Sequence, residues 1–89
     1  MADDYPKQRS DISIRVIEGE IVVLHLSAGQ IHRLNPTASF IWDRCDGHRT
    51  AAEIADELTE LFDVDYETAR EAVRTTLRQL AGLGLLDGA

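Results

Sequence analysis

The chain has 89 residues and a formal net charge of −7, from 16 acidic against 9 basic side chains, which is enough for one small core and too little for a core plus a separate catalytic domain. A surface of that sign repels phosphate backbones unless its basic residues gather on one face, so nucleic acid is a disfavoured partner. With 44% hydrophobic and 28% charged residues, one cysteine (Cys45) and no apolar run long enough for a signal peptide or a membrane span, the composition points to a folded cytoplasmic domain without disulfides.

Residues 1–10 mix charge with Pro6 and Gln8 and show no apolar period, the pattern of a mobile tail, so the domain proper is expected over residues 11–87. From Asp11 the period is two. Ile12, Ile14 and Val16 alternate with Ser13 and Arg15, as in a half-buried strand. Gly19 supplies the positive φ of a tight hairpin. A second strand over residues 20–26 places Val22, Leu24 and Leu26 on one side and Ile21, Val23 and His25 on the other, both largely apolar, as a middle strand requires. After the turn Ser27-Ala28-Gly29, His32 and Leu34 alternate with Ile31 and Arg33 in a third strand over residues 30–34. A three-stranded meander leaves that strand at an edge, where unpaired N–H and C=O groups can template a further strand.

Asn35-Pro36 then starts a helix: Asn is a favoured N-cap, and Pro in the first turn gives up only an N–H that has no partner there. Ala38, Ile41, Trp42 and Cys45 recur at helical spacing with Phe40 at their border, and Asp46-Gly47 ends the run. Thr50-Ala-Ala-Glu53 is a capping box opening a second helix, with Ala51, Ile54, Ala55, Leu58, Leu61 and Phe62 on its apolar stripe and Glu53, Asp56, Glu57 and Glu60 opposite. A third helix over residues 66–81 follows the N-cap Asp65 and buries Ala69, Ala72, Val73, Thr76, Leu77 and Leu80. Gly82 and Gly84 close it, and Leu83, Leu85 and Leu86 fold back on the core. The reading is an α+β domain, a three-stranded antiparallel sheet followed by a three-helix bundle.

Little in this chain carries catalytic chemistry. Cys45, Asp46 and His48 stand close enough to form a thiolate-imidazole pair, but an activated thiol needs an electropositive site and this stretch is acidic; packing is the better reading. His25, His32, His48 and Cys45 match no metal-ligand spacing, so no metal is expected. There is no phosphate-cradling glycine loop and no nucleophile motif, which argues against an enzyme and against a cofactor. More informative are Arg70, Arg74 and Arg78, which recur every four residues along one flank of the third helix. Like charges at this spacing repel, so they ask for acidic neighbours. Two sources are open: Glu67 and Glu71, three residues before Arg70 and Arg74, or an acidic peptide lying in a groove beside them.

The residues of this sheet-to-helix joint also carry a resemblance. The series Gly29-Gln-Ile-His-Arg-Leu-Asn-Pro-Thr-Ala-Ser-Phe-Ile-Trp42, then Cys45-Asp-Gly-His-Arg-Thr50, Glu53-Ile-Ala55 and Leu80-Ala-Gly-Leu-Gly-Leu-Leu86 resembles the PqqD family of recognition domains for ribosomally made, modified peptides. The resemblance implies a winged-helix-like, non-catalytic module that binds the leader of a precursor peptide. Such a module presents the leader to a modifying enzyme, a radical SAM protein in the pyrroloquinoline quinone pathway or a leader protease and cyclase in lasso-peptide pathways. It further implies that the leader adds as a strand to the third β-strand and lies against the third helix. That groove would be lined by Gln30, Ile31, His32, Arg33 and Leu34 on one side and by Arg70, Val73, Arg74, Leu77 and Arg78 on the other. Arg74 or Arg78 would pair with a leader carboxylate, and Ile31 and Val73 would hold an apolar anchor. With no enzyme in these 89 residues, a separate one is expected to be recruited. A winged-helix nucleic-acid binder is the competing reading, weakened by the charge of −7. A general protein-protein adaptor also stays open at this point.

Overall fold

A computed structural model describes residues 5–87. The alternating stretches form β1 (Ser13–Ile17), β2 (Glu20–His25) and β3 (Gln30–Arg33), an antiparallel meander in the order β1-β2-β3. Glu18 and Gly19 link β1 to β2 with φ of 54° and 83°, two left-handed residues in a row, which is the twist-matched two-residue hairpin connection. Between β2 and β3 a 3₁₀ turn at Leu26–Ala28 ends on left-handed Gly29. Three helices follow: α1 (Pro36–Asp43), α2 (Ala51–Phe62) and α3 (Tyr66–Gly82). The α+β arrangement is the expected one.

The helix starts are set by the caps that the sequence carries. Asn35 Oδ1 accepts from the Ala38 N–H at 2.7 Å. Thr50 Oγ1 accepts from the Glu53 N–H at 3.1 Å while Glu53 Oε1 accepts from the Thr50 N–H at 2.8 Å, closing the capping box. Asp65 Oδ1 does the same for Thr68 at 2.8 Å. Each such cap is worth on the order of 1 kcal/mol, because it satisfies amides that the helix itself leaves without partners.

Strand register decides what enters the core. Val23 stands opposite Ile14 and His32, so these share the face turned to the helices. Val23, Ile41, Trp42, Ile54, Ala55 and Leu85 are completely buried there. Val22, paired with Arg15 and Arg33, is buried on the opposite face and lies outside the main core cluster.

Four expectations are corrected. Leu83 does not fold back on the core with Leu85 and Leu86 but is 41% exposed, because it sits at the C-cap of α3 and the chain turns inward only after Gly84. β1 is not a half-buried strand: Ile14 is 44% and Val16 73% exposed, because β1 makes its contacts with β2 and overhangs the helical layer. The apolar stripe of α2 does not stay buried to its end, since Leu61 is 66% and Phe62 36% exposed where the helix runs past the core. Residues 6–9 of the expected tail are tied into the domain, whereas residues 1–4 lie outside the described residues. Lys7 bridges to Asp46 and Gln8 to Leu86. The Gln8 N–H donates to the Cys45 carbonyl at 2.9 Å, Arg9 to Leu85 at 3.1 Å, and Gln8 Nε2 to the Trp42 carbonyl at 2.8 Å. A segment without apolar period is held here because the end of α1 and the C-terminal segment each present carbonyls that need a donor.

Cys45 is 1% exposed, and its thiol donates to the Ile41 carbonyl at 3.3 Å. Burial, helped by the charge of Asp46, pushes the thiol up to about 12. It is a packing residue, not a nucleophile. Native protein at pH about 8 is therefore expected to resist a thiol reagent that labels the urea-unfolded chain completely, because only the thiolate reacts; labelling at equal rates in both states would contradict the buried placement.

Glu57 on α2 fastens the α1–α2 connection. It accepts from Arg44 Nε at 3.0 Å and from Arg49 Nε at 2.8 Å, and Arg49 reaches on to Asp46. Burial pushes the Glu57 carboxyl up, but the hydrogen bonds and charges of the two arginines together outweigh it and hold the group below the ordinary value of 4.5. A carboxylate depressed in the folded state contributes stability that is fully present above its unfolded pKa and is lost as pH falls through the folded one. Glu57→Gln is expected to cost about 1 kcal/mol or less at neutral pH, the pair being partly exposed, and to lessen the loss of stability on acidification, read by urea unfolding across the acid limb.

Candidate functional site

The outer edge of β3 presents a short, defined set of backbone groups. The Leu34 N–H donates to the Ile21 carbonyl at 2.9 Å, and the same register pairs His32 with Val23 and Gln30 with His25. In an antiparallel pair the residues alternate between bonding inward and pointing outward, so the N–H and C=O of Ile31 and Arg33 face away from β2. Those four groups are a ready docking edge.

The side chains of the strand divide between the two faces. Gln30, His32 and Leu34 lie on the helix side, where Gln30 Oε1 meets His32 Nε2 at 3.1 Å and Leu34 is a buried core residue. Ile31, 70% exposed, and Arg33 lie on the outer face, and Arg33 Nη2 donates to Glu20 Oε1 at 2.9 Å.

On α3, the structure brings Arg70, Val73, Arg74 and Leu77 together, in a cleft whose facing wall is α2. These four line a cleft of about 210 Å³ with Ala51 and Ala52, from the first turn of α2. Arg70 stands 4.0 Å from Glu67 and Arg74 3.6 Å from Glu71, too long for hydrogen bonds, and all four side chains are exposed. Arg78 makes no ion pair among the described residues. Both guanidinium groups thus keep donors for another acceptor.

The residues expected to line the groove thus include the β3 edge and the arginine cleft, whose facing wall is the start of α2. Ile31 and Val73 do not share an anchor site: Ile31 points to the outer sheet face and Val73, 1% exposed, is core. The apolar floor of the cleft comes from Leu77 and the two alanines, with the buried Val73 beneath them. Ala51 and Ala52 were not singled out in the sequence as site residues; the available signal was that a capping box sets two small side chains at a helix start, where they leave room beside a neighbour. The other flank of α3 borders a wider, open hollow of about 640 Å³ lined by Glu67, Thr68, Glu71, Ala72, Thr75 and Thr76, which no motif marks. Among the described residues no three His, Cys, Asp or Glu side chains stand together to hold a metal, and no helix is long and apolar enough to cross a membrane.

The family model described as coenzyme PQQ synthesis protein D (PqqD) matches residues 20–86. Among solved structures, TbiB1 in complex with the TbiA(beta) leader peptide has a TM-score of 0.84 and 31% identity, over 93% of this chain and 96% of that one. A lasso peptide synthetase B1 complexed with the leader peptide has a TM-score of 0.83 at 24% identity, over 92% and 96% of the two chains. The solution NMR structure of the PqqD truncation of Methylobacterium extorquens PqqCD, representing a functional and stand-alone recognition element for ribosomally synthesized and modified peptides, has a TM-score of 0.74 at 24% identity, over 98% and 93%. The likenesses at 24% carry the fold alone. No curated protein matches the chain. The matched span runs from β2 through the C-terminal leucines and so includes the β3 edge and the whole of α3: the chain belongs to the PqqD family.

Proposed function

We propose that this chain is a non-catalytic recognition domain that captures the leader of a ribosomally made precursor peptide as an added strand on β3. It presents that leader to a separate modifying enzyme, such as a radical SAM protein or a leader protease, in the cytoplasm. The observation that carries the reading is the open edge at Ile31 and Arg33, in a fold shared with TbiB1, which is known in complex with a leader peptide. Strand addition draws affinity from main-chain hydrogen bonds and selectivity from alternate side chains. On β3 the bonds would come from Ile31 and Arg33, and a leader side chain beside Ile31 would meet an exposed apolar surface.

The arginine strip supplies the second element of selectivity. Arg70 and Arg74, with Arg78 one turn on, offer donors above an apolar floor, which suits a leader segment carrying a carboxylate next to an apolar side chain. The lone thiol is buried with a raised pKa, so a cysteine mechanism has no support. Net charge −7 disfavours the nucleic-acid alternative.

The reading is tested by titrating a leader peptide into the labelled domain and mapping amide shifts, expected on β3 and α3. Proline substitution refines it, because Pro removes a single N–H. Ile31→Pro deletes an outward donor and is expected to leave the fold intact while weakening the leader up to about tenfold, the worth of one hydrogen bond. His32→Pro deletes an inward donor to β2 and is expected to destabilise the sheet. An unchanged dissociation constant in Ile31→Pro would end the strand-addition reading. Arg74→Glu is expected to weaken the leader without unfolding the domain; unaltered affinity would leave Arg74 with Glu71 as its only partner.

A further inference from the structure

The strongest surface outside the leader-binding elements is the corner where α2 gives way to α3. Leu61, Phe62, Val64 and Tyr66 are 66%, 36%, 36% and 39% exposed there, although the core lies one helical turn away. Glu60, Asp63, Asp65 and Glu67 interleave with them, all exposed. Asp63 holds the turn in the left-handed region at φ 53°.

This corner is built rather than frayed. The Phe62 ring meets Phe40 edge-on, with centroids 5.5 Å apart and planes at 89°. Arg44 sits over the Phe40 ring at 3.8 Å and is itself fixed by Glu57. Next to this stack a notch of about 210 Å³ is lined by Phe40, Arg44, Glu57, Glu60 and Leu61. The charge of Glu57 is met by two arginines, whereas Glu60, on the same wall, makes no ion pair among the described residues. The notch therefore combines an apolar wall with a carboxylate that has no ion-pair partner among the described residues; the Arg44 guanidinium that also lines it is engaged by Glu57, and the acidic excess of the corner comes from Glu60 with Asp63, Asp65 and Glu67 beside it.

We infer that this corner is the docking surface for the modifying enzyme, and that the enzyme meets it with a lysine or arginine flanked by apolar residues. The methylene stem of such a side chain packs on Leu61 and Phe40 while its charged head reaches Glu60, and the flanking apolar residues cover the exposed side chains of the turn. Charge selects this occupant over the others. A second copy docked corner to corner would set carboxylates against carboxylates, a nucleic acid would bring phosphates to them, and an added leader strand finds no open sheet edge here; a copy docked through its arginine flank would instead make the domain self-associate with rising concentration, and that result would overturn the enzyme as occupant. The partner's identity as the enzyme rests on the leader-recognition reading; its basic-apolar chemistry does not.

The test titrates the labelled domain with a synthetic amphipathic helix of leucine and lysine, its leucine-glutamate counterpart serving as control. The lysine peptide is expected to shift the amides of Phe40, Glu60, Leu61 and Phe62, and the control is not. The double variant Glu60→Lys, Leu61→Ser alters only exposed side chains and is expected to lose about tenfold or more in affinity for the lysine peptide, the effect of removing an interface anchor. Leader-peptide binding on β3 is expected to be unchanged in that variant. Saturable shifts confined to other surfaces, equal binding of the two peptides, or equal affinity in the variant would overturn the docking surface. Failure of the leader peptide to bind β3 with the corner response intact would overturn the leader reading and leave this surface standing.

Discussion

Trp42 is the residue on which the other parts of the structure converge. Its side chain is completely buried, and its backbone carbonyl accepts from both Gln8 Nε2 and the Cys45 N–H. One position thus packs α1 into the core, tightens the exit from that helix and ties down the N-terminal segment. Truncating a buried aromatic of this kind costs on the order of 3–5 kcal/mol, against a total stability on the order of 5–15 kcal/mol for a small domain. No surface ion pair approaches that weight. The Arg44–Glu57–Arg49 cluster, with side chains about a third exposed, trims the geometry of a frame that α1 has already set.

A core this small leaves much of the chain at the surface, and the recognition surfaces are consequences of that. The helices cover β2 and leave β1 overhanging, and among the described residues no strand pairs with the outer edge of β1 or of β3. An exposed edge is a hazard as well as a tool, since it invites pairing between copies. β3 limits the hazard by being only four residues long and by carrying Arg33, and a net charge of −7 adds repulsion between copies. The same properties suit a peptide guest: few main-chain bonds give modest affinity, and the side chains nearby must do the discriminating.

The charges are also segregated in a way that gives the two sides of the molecule different partners. Arg70, Arg74 and Arg78 follow one flank of α3, while Glu60, Asp63, Asp65 and Glu67 crowd the corner at its start. The first suits an acidic-apolar segment and the second a basic-apolar surface, as proposed above. A domain that must hold a peptide and deliver it to another protein needs two such addresses that do not compete.

By itself, the sequence determined whatever depends on neighbours a few residues apart. The caps at Asn35, Thr50 and Asp65, the period-two strands, the glycine turns and the helical stripe through Val73 and Leu80 were all legible, because side-chain-to-backbone hydrogen bonds and periodicity act over one or two turns. Tertiary structure decided the rest. Gln8 could not be read as a partner of Trp42, because its side chain bonds a backbone carbonyl 34 residues away and leaves no trace in apolar pattern. Leu61 and Phe62 carry the same period as Ile54 and Leu58, and only the end of the core beneath them makes them surface. The flank that the arginines occupy was visible in their spacing, but the wall facing Arg70 and Arg74 was not: that depends on how α2 packs against α3, a long-range arrangement that helical spacing does not encode.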